Sequence, residues 1–81
     1  MIDMMVTIKR EDGFHARPAS ELVKIANKYK SNVFIKRNNR TVSAKSILNL
    51  MSLAIRCGET IGLIIDGEDE KVVLEEILKI F

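Results

Sequence analysis

The sequence predicts an α+β fold, an open-faced β-sandwich in which a four-stranded, mainly antiparallel sheet carries three helices on one face. Three observations predict it. Apolar residues fall at every second position around residues 2–9, 33–37 and 60–66, the period of a half-buried strand. They recur at spacings of three and four from residue 16, and again from about residue 70, the period of an amphipathic helix. Polar or glycine-containing turns separate these segments, and their order reads βαββαβα.

In the first strand Met4, Val6 and Ile8 alternate with Met5, Thr7 and Lys9. A polar turn then leads into the first helix, where Ala16, Ala19, Leu22, Val23 and Ala26 share a face while Glu21, Lys24 and Lys28 meet water. This helix runs to about Tyr29, and Lys30-Ser31-Asn32 breaks it. On the second strand Val33 and Ile35 oppose Phe34 and Lys36. Asn38-Asn39 suits a two-residue turn with positive φ, so residues 40–44 return as a short, polar edge strand. Ser46 is a good N-cap for a short helix over 47–54. That helix has more apolar residues than one buried face can use. Leu50, Leu53 and Ala54 are assigned to the core, and Ile47, Leu48 and Met51 to an exposed patch of the kind that docks partners. Cys57 is expected to be a half-buried small residue at the end of this segment. Ile61, Leu63 and Ile65 define the inner face of the last strand, and Asp66-Gly67 turns the chain. Glu68-Asp69-Glu70 suits the positive end of the last helix, whose stripe is Val73, Leu74, Ile77, Leu78 and Phe81.

Bulk properties narrow the function. With 81 residues the chain is expected to be one domain over 1–81, and 47% hydrophobic residues suffice for one modest core. A net charge of +2 is too small for a dedicated nucleic-acid binder, and the few aromatics offer little for base stacking. A single cysteine excludes an intramolecular disulfide and a Cys-rich metal site. Apolar runs fall far below the ~18 residues that span a bilayer, and the N-terminus lacks a secretory pattern. The expectation is a cytoplasmic monomer without cofactor or metal. One histidine with no partner for a triad argues against a stand-alone enzyme.

The chemistry concentrates in Gly13-Phe14-His15-Ala16-Arg17-Pro18-Ala19-Ser20, which holds the only histidine and the only proline. Pro18 falls in the first helical turn, where its missing N–H has no intrahelical partner to lose. His15 then lies near the N-cap, with the backbone N–H groups of Ala16 and Arg17 free. Those groups, the helix dipole and the planar Arg17 guanidinium favour an anion such as phosphate. Cationic surroundings favour neutral, nucleophilic imidazole. His15 is therefore a candidate phosphoryl acceptor. A capping histidine beside an exposed arginine would satisfy the same pattern.

This octapeptide resembles the active-site signature of the HPr family, the histidine-containing phosphocarriers of the bacterial phosphoenolpyruvate-dependent sugar phosphotransferase system. Lys45-Ser46-Ile47-Leu48-Asn49-Leu50-Met51-Ser52-Leu53 is similar to the family's regulatory serine segment, and Met51-Ser52-Leu53 looks like the Gram-positive branch. The resemblance covers nearly the whole chain and implies the sheet order 1-4-2-3. It implies that His15 takes a phosphoryl group from phospho-enzyme I and passes it to enzyme II A components. Arg17 would stabilise the phosphate, Ala16 would offer its N–H and Pro18 would shape the first turn. Ser46 would be the regulatory phosphoserine, modified by HPr kinase/phosphorylase and read by a catabolite-control transcription factor. Phe14, Ser20, Ile47, Leu48 and Met51 would dock partners. Some relatives act only as regulatory adaptors, and those lack the active-site histidine.

Three departures from the family pattern bear on function. Asp12 stands where the family often has Asn, Ser or Thr; a carboxylate there is expected to hold a proton on the imidazole and repel an incoming phosphoryl group, the alternative being that it caps or orients the ring. Phe14 replaces a smaller aliphatic residue on the docking rim. Ala54 replaces a frequent glycine and is expected to extend or tighten the second helix. The chain also ends a few residues early, which is expected to shorten the tail of the last helix.

Overall fold

Alternation of side chains along four strands leaves one face of a sheet apolar, and three helices cover it. The computed structural model describes residues 1–11 and 16–81. Among these, the order is β1 (Ile2–Thr7), α1 (Ala16–Lys28), β2 (Asn32–Arg37), β3 (Arg40–Ser43), α2 (Ile47–Ser52), β4 (Thr60–Asp66) and α3 (Glu70–Leu78). All strand pairs are antiparallel and the sheet order is β1-β4-β2-β3, with β3 on the edge as expected. The register aligns one row of Met4, Leu63, Ile35 and Val42 on the inner face. The neighbouring row of Met5, Gly62, Lys36 and Thr41 lies on the open face, where Met5 is 64% exposed.

The core joins Ile8, Val33, Ile35, Ile61, Leu63 and Ile65 of the sheet side to Ala19, Leu22 and Ala26 of α1, Leu50 of α2, and Val73 and Ile77 of α3. Each fully buried Val, Leu or Ile side chain contributes about 1.5–3 kcal/mol by leaving water.

The turns behave as their residues dictate, with some corrections. Asn38 takes φ 56, whereas Asn39 does not enter the left-handed region, so only half of the turn uses positive φ. The regular part of β1 stops at Thr7; Ile8 continues it by bonding the α2–β4 loop, its N–H donating to Glu59 O and its O accepting from Gly58 N, both at 2.8 Å. Ala54 is neither buried nor part of α2. The helix ends at the Leu53 cap, and Ala54 turns out to solvent at φ 52, the left-handed region that a glycine would occupy without strain. Cys57 is exposed rather than half-buried, because it precedes Gly58 in the loop that reaches back to Ile8. In α3 the last turn tightens, Lys79 N–H donating to Glu76 O and Ile80 N–H to Ile77 O. Such i→i+3 bonds stack Ile80 over Ile77, so Ile80 is buried while Leu78 is 42% exposed.

One polar cross-link ties the helices to the sheet. Among the described residues Ser31 is the buried polar side chain, and Asp69 satisfies it. The Asp69 carboxylate accepts from Ser31 Oγ, from Ser31 N at 3.0 Å and from Lys30 N at 2.9 Å. Asp69 is the N-cap residue of α3 but makes no side-chain capping bond there, because its oxygens serve the α1–β2 turn instead. Gly67 makes the close approach possible: a Cβ on it would sit 2.6 Å from Ser31 Cα.

Candidate functional site

The N-terminus of α1 and the whole of α2 present the residues singled out from sequence. Ala16 and Arg17 open α1 and are exposed, Pro18 and Ala19 are buried against the core, and Ser20 is half-buried. Pro18 thus anchors the first turn by packing while giving up no intrahelical donor. The N–H groups of Ala16 and Arg17 belong to the set that a helix leaves without internal acceptors. The first turn of α1 contains no acidic residue, so nothing on it opposes an anion. The Arg17 side chain is 79% exposed, and its Nε lies 3.9 Å from Glu21 Oε1, one turn along the helix. Sequence reading placed Glu21 only on the wet side of α1. The i, i+4 spacing from Arg17 was the signal for the pairing. Asp12, Phe14 and His15 lie outside the described residues.

Ser46 is the N-cap of α2, as expected. Its backbone is extended, its Oγ accepts from Asn49 N at 3.3 Å and its carbonyl accepts from Leu50 N at 3.1 Å. The helix divides its apolar residues as the excess required. Leu50 is buried, while Leu48 is 79% exposed and Ile47 and Met51 stand partly in water. Arg40 secures the far end of α2, its guanidinium donating to Ser52 O at 3.0 Å and Ser52 Oγ at 2.9 Å.

The two helices lie side by side. Asn27 Nδ2 donates to Val23 O at 2.9 Å and to Lys45 O at 3.4 Å, which sets the start of α2 beside the C-terminal half of α1. Arg17 and Asn27 are ten positions apart, about 15 Å along a helix axis. Ser46 therefore stands well away from the mouth of α1.

Several charges of the middle segment are neutralised locally. Arg37 Nε and Nη2 donate to Glu59 Oε1 at 3.0 and 2.6 Å, and Arg56 N donates to Glu59 Oε2 at 2.6 Å. The Arg37 guanidinium, then the Arg56 N–H, holds the Glu59 carboxyl below its ordinary value. Lys28 Nζ lies 3.8 Å from Glu76 Oε1 and 5.3 Å from the Tyr29 ring centre. The described residues contain no cluster of His, Cys, Asp and Glu able to hold a metal, and no helix long and apolar enough to cross a membrane.

Comparison with known proteins places these features. A family model described as the HPr component phosphorylation site of the phosphotransferase system matches residues 2–81. The HPr-like protein Crh of Halalkalibacterium halodurans is 44% identical over 96% of this chain and 93% of its own length. The phosphocarrier protein HPr of Treponema pallidum is 35% identical over 100% of this chain and 92% of its own. The crystal structure of HPr from Thermoanaerobacter tengcongensis superposes with a TM-score of 0.90 at 34% identity, over 98% of this chain and 89% of that one. Crystalline Crh of Bacillus subtilis superposes at 0.75 with 40% identity over 99% and 92% of the two chains, and is described as a dimer with a swapped domain.

Proposed function

The chain belongs to the HPr family, and from that premise we propose that it is a cytoplasmic phosphocarrier of the sugar phosphotransferase system, with His15 as the acceptor. The observation that carries this is the sequence run His15-Ala16-Arg17-Pro18 at the start of α1, with the Arg17 side chain largely in water and the Ala16 and Arg17 N–H groups among those a helix leaves without internal acceptors. An imidazole nitrogen lone pair attacks the phosphorus of phospho-enzyme I. The new N–P bond forms as the donor's bond to phosphorus breaks, and the donor keeps the electron pair. The reverse exchange on an enzyme II A domain returns the imidazole. Arg17 and the helix N-terminus offset the charge of the phosphoryl oxygens throughout. The protein catalyses no net reaction of its own.

Ser46 is the regulatory site in this reading. HPr kinase/phosphorylase would place a phosphate there. The N-terminus of α2 tolerates it, and about −1.5 to −2 charges appear beside Ile47, Leu48 and Met51. Because Ser46 lies far along α1 from Arg17, the added charge acts through the docking surface rather than on the bound phosphoryl group. Ser20 completes that surface from α1's side, and Phe14 is the further docking residue in this reading.

A second reading has an observation of its own. The 44% identity to a Crh protein, against 35% to an HPr, favours a regulatory adaptor whose active form is phospho-Ser46 bound to a catabolite-control transcription factor. Retention of His15 favours the carrier. One experiment separates them: the chain is loaded with phosphoenolpyruvate and enzyme I, and an enzyme II A domain is added. Onward transfer of label supports the carrier. Loading only by ATP and the kinase, at Ser46, supports the adaptor and rejects the carrier.

A further inference from the structure

We infer that Glu21 is a positioning residue for the phosphoryl group, whose carboxylate competes for the Arg17 guanidinium and so keeps the phosphorylated protein a ready donor. The inference rests on the reading of His15 as acceptor and Arg17 as its phosphate partner. Glu21 is the one acidic residue of α1 and lies a single turn from Arg17. At 3.9 Å the pair is a Coulombic contact and not a hydrogen bond, so the guanidinium donors are held but not consumed. The order, arginine before glutamate, is the weaker one for helix stability, which leaves little structural reason for the pairing.

Glu21 also has somewhere else to go. It lines the groove between α1 and α3 together with Lys24, Lys28, Glu76 and the apolar Ile25 and Ile80. Lys24 is three positions along the same helix, and Lys28 is already engaged by Glu76. When a dianionic phosphoryl group draws Arg17 into bidentate contact, the Arg17–Glu21 attraction is given up, and Lys24 replaces it for the freed carboxylate only in part. While unphosphorylated, Arg17 is held back by Glu21. Because that attraction is lost on phosphorylation and regained on release, it favours transfer to the next protein.

The test is the equilibrium phosphorylated fraction of the full chain at a fixed ratio of phosphoenolpyruvate to pyruvate with enzyme I. Wild type, Glu21→Gln, Arg17→Ala and the double variant are compared. Glu21→Gln is expected to raise the ratio of phosphorylated to free protein about twofold, the scale of one exposed i, i+4 pair. In the Arg17→Ala background the same change has no effect. The Arg17 Nε–Hε resonance shifts on Glu21→Gln in the free protein and not in the phosphorylated one. Equal ratios in wild type and Glu21→Gln, or a rise that survives without Arg17, overturn the inference while leaving the carrier intact. Absence of any phosphohistidine in wild type overturns both.

Discussion

Ala54 shows how much one side chain can matter. An L-residue in the left-handed region costs about 1–2 kcal/mol, and Ala54 sits there at φ 52 with its side chain in water. Glycine would relieve that strain and give back about 0.4–1 kcal/mol through a freer unfolded chain. Ala54→Gly is therefore expected to stabilise the protein by about 0.5–1 kcal/mol; an unchanged or lower urea midpoint would contradict this account. Gly67 has the opposite constraint. A methyl group there meets Ser31, so Gly67→Ala is expected to destabilise by about 1–3 kcal/mol in the same measurement. Sequence reading marked Gly67 as a turn but had no view of Ser31, 36 positions earlier, and it placed Ala54 in the core because it assumed the helix continued. Asp12 stands three positions before His15 in the sequence. A carboxylate near the imidazole would oppose an incoming phosphoryl group, so Asp12→Asn is expected to take up phosphoryl groups faster from enzyme I; an equal or lower rate would contradict this.

At the scale of elements, local signals were legible and distant ones were not. Ser46 was identifiable as the cap of α2 because a hydroxyl three residues before a free N–H has a local partner, and the bond to Asn49 N is present. The exposed patch on α2 was legible from simple excess, since six residues cannot bury Ile47, Leu48, Leu50 and Met51 on one face. By contrast the link from Asp69 to Ser31 joins residues 38 positions apart, and sequence assigned Asp69 to the dipole of its own helix. The burial of Ile80 escaped notice because a strict 3.6 period does not anticipate a tightened last turn. Ser46→Asp separates the two roles of the serine. An aspartate keeps a capping oxygen, so stability should stay within about 0.5 kcal/mol of wild type, while transfer from enzyme I slows. Transfer at the wild-type rate would remove Ser46 from the regulatory scheme.

The whole molecule responds to acid through its linked carboxylates. Ser31 Oγ, then the Lys30 N–H, holds the Asp69 carboxyl below its ordinary 3.8, and Glu59 and Glu70 are lowered in the same sense by Arg37 and by the N-terminal amine. A carboxyl depressed in the folded state contributes stability that is full above its unfolded value and lost as pH falls through the folded one. Stability should therefore decline as pH drops past about 4, and Asp69→Asn should flatten that part of the profile. Chain-wide alternation made the βαββαβα order legible, whereas the strand order β1-β4-β2-β3 needed the family resemblance, because period two marks a face and not a neighbour. The described candidate residues lie in the first turns of α1 and on α2 beside it. The most direct measurement is the mass and stability of the adduct formed with phosphoenolpyruvate and enzyme I, beside a His15→Ala control. The account predicts one phosphoryl group, labile in acid and stable in alkali, absent from the control. No adduct, or one that persists in His15→Ala, would contradict it.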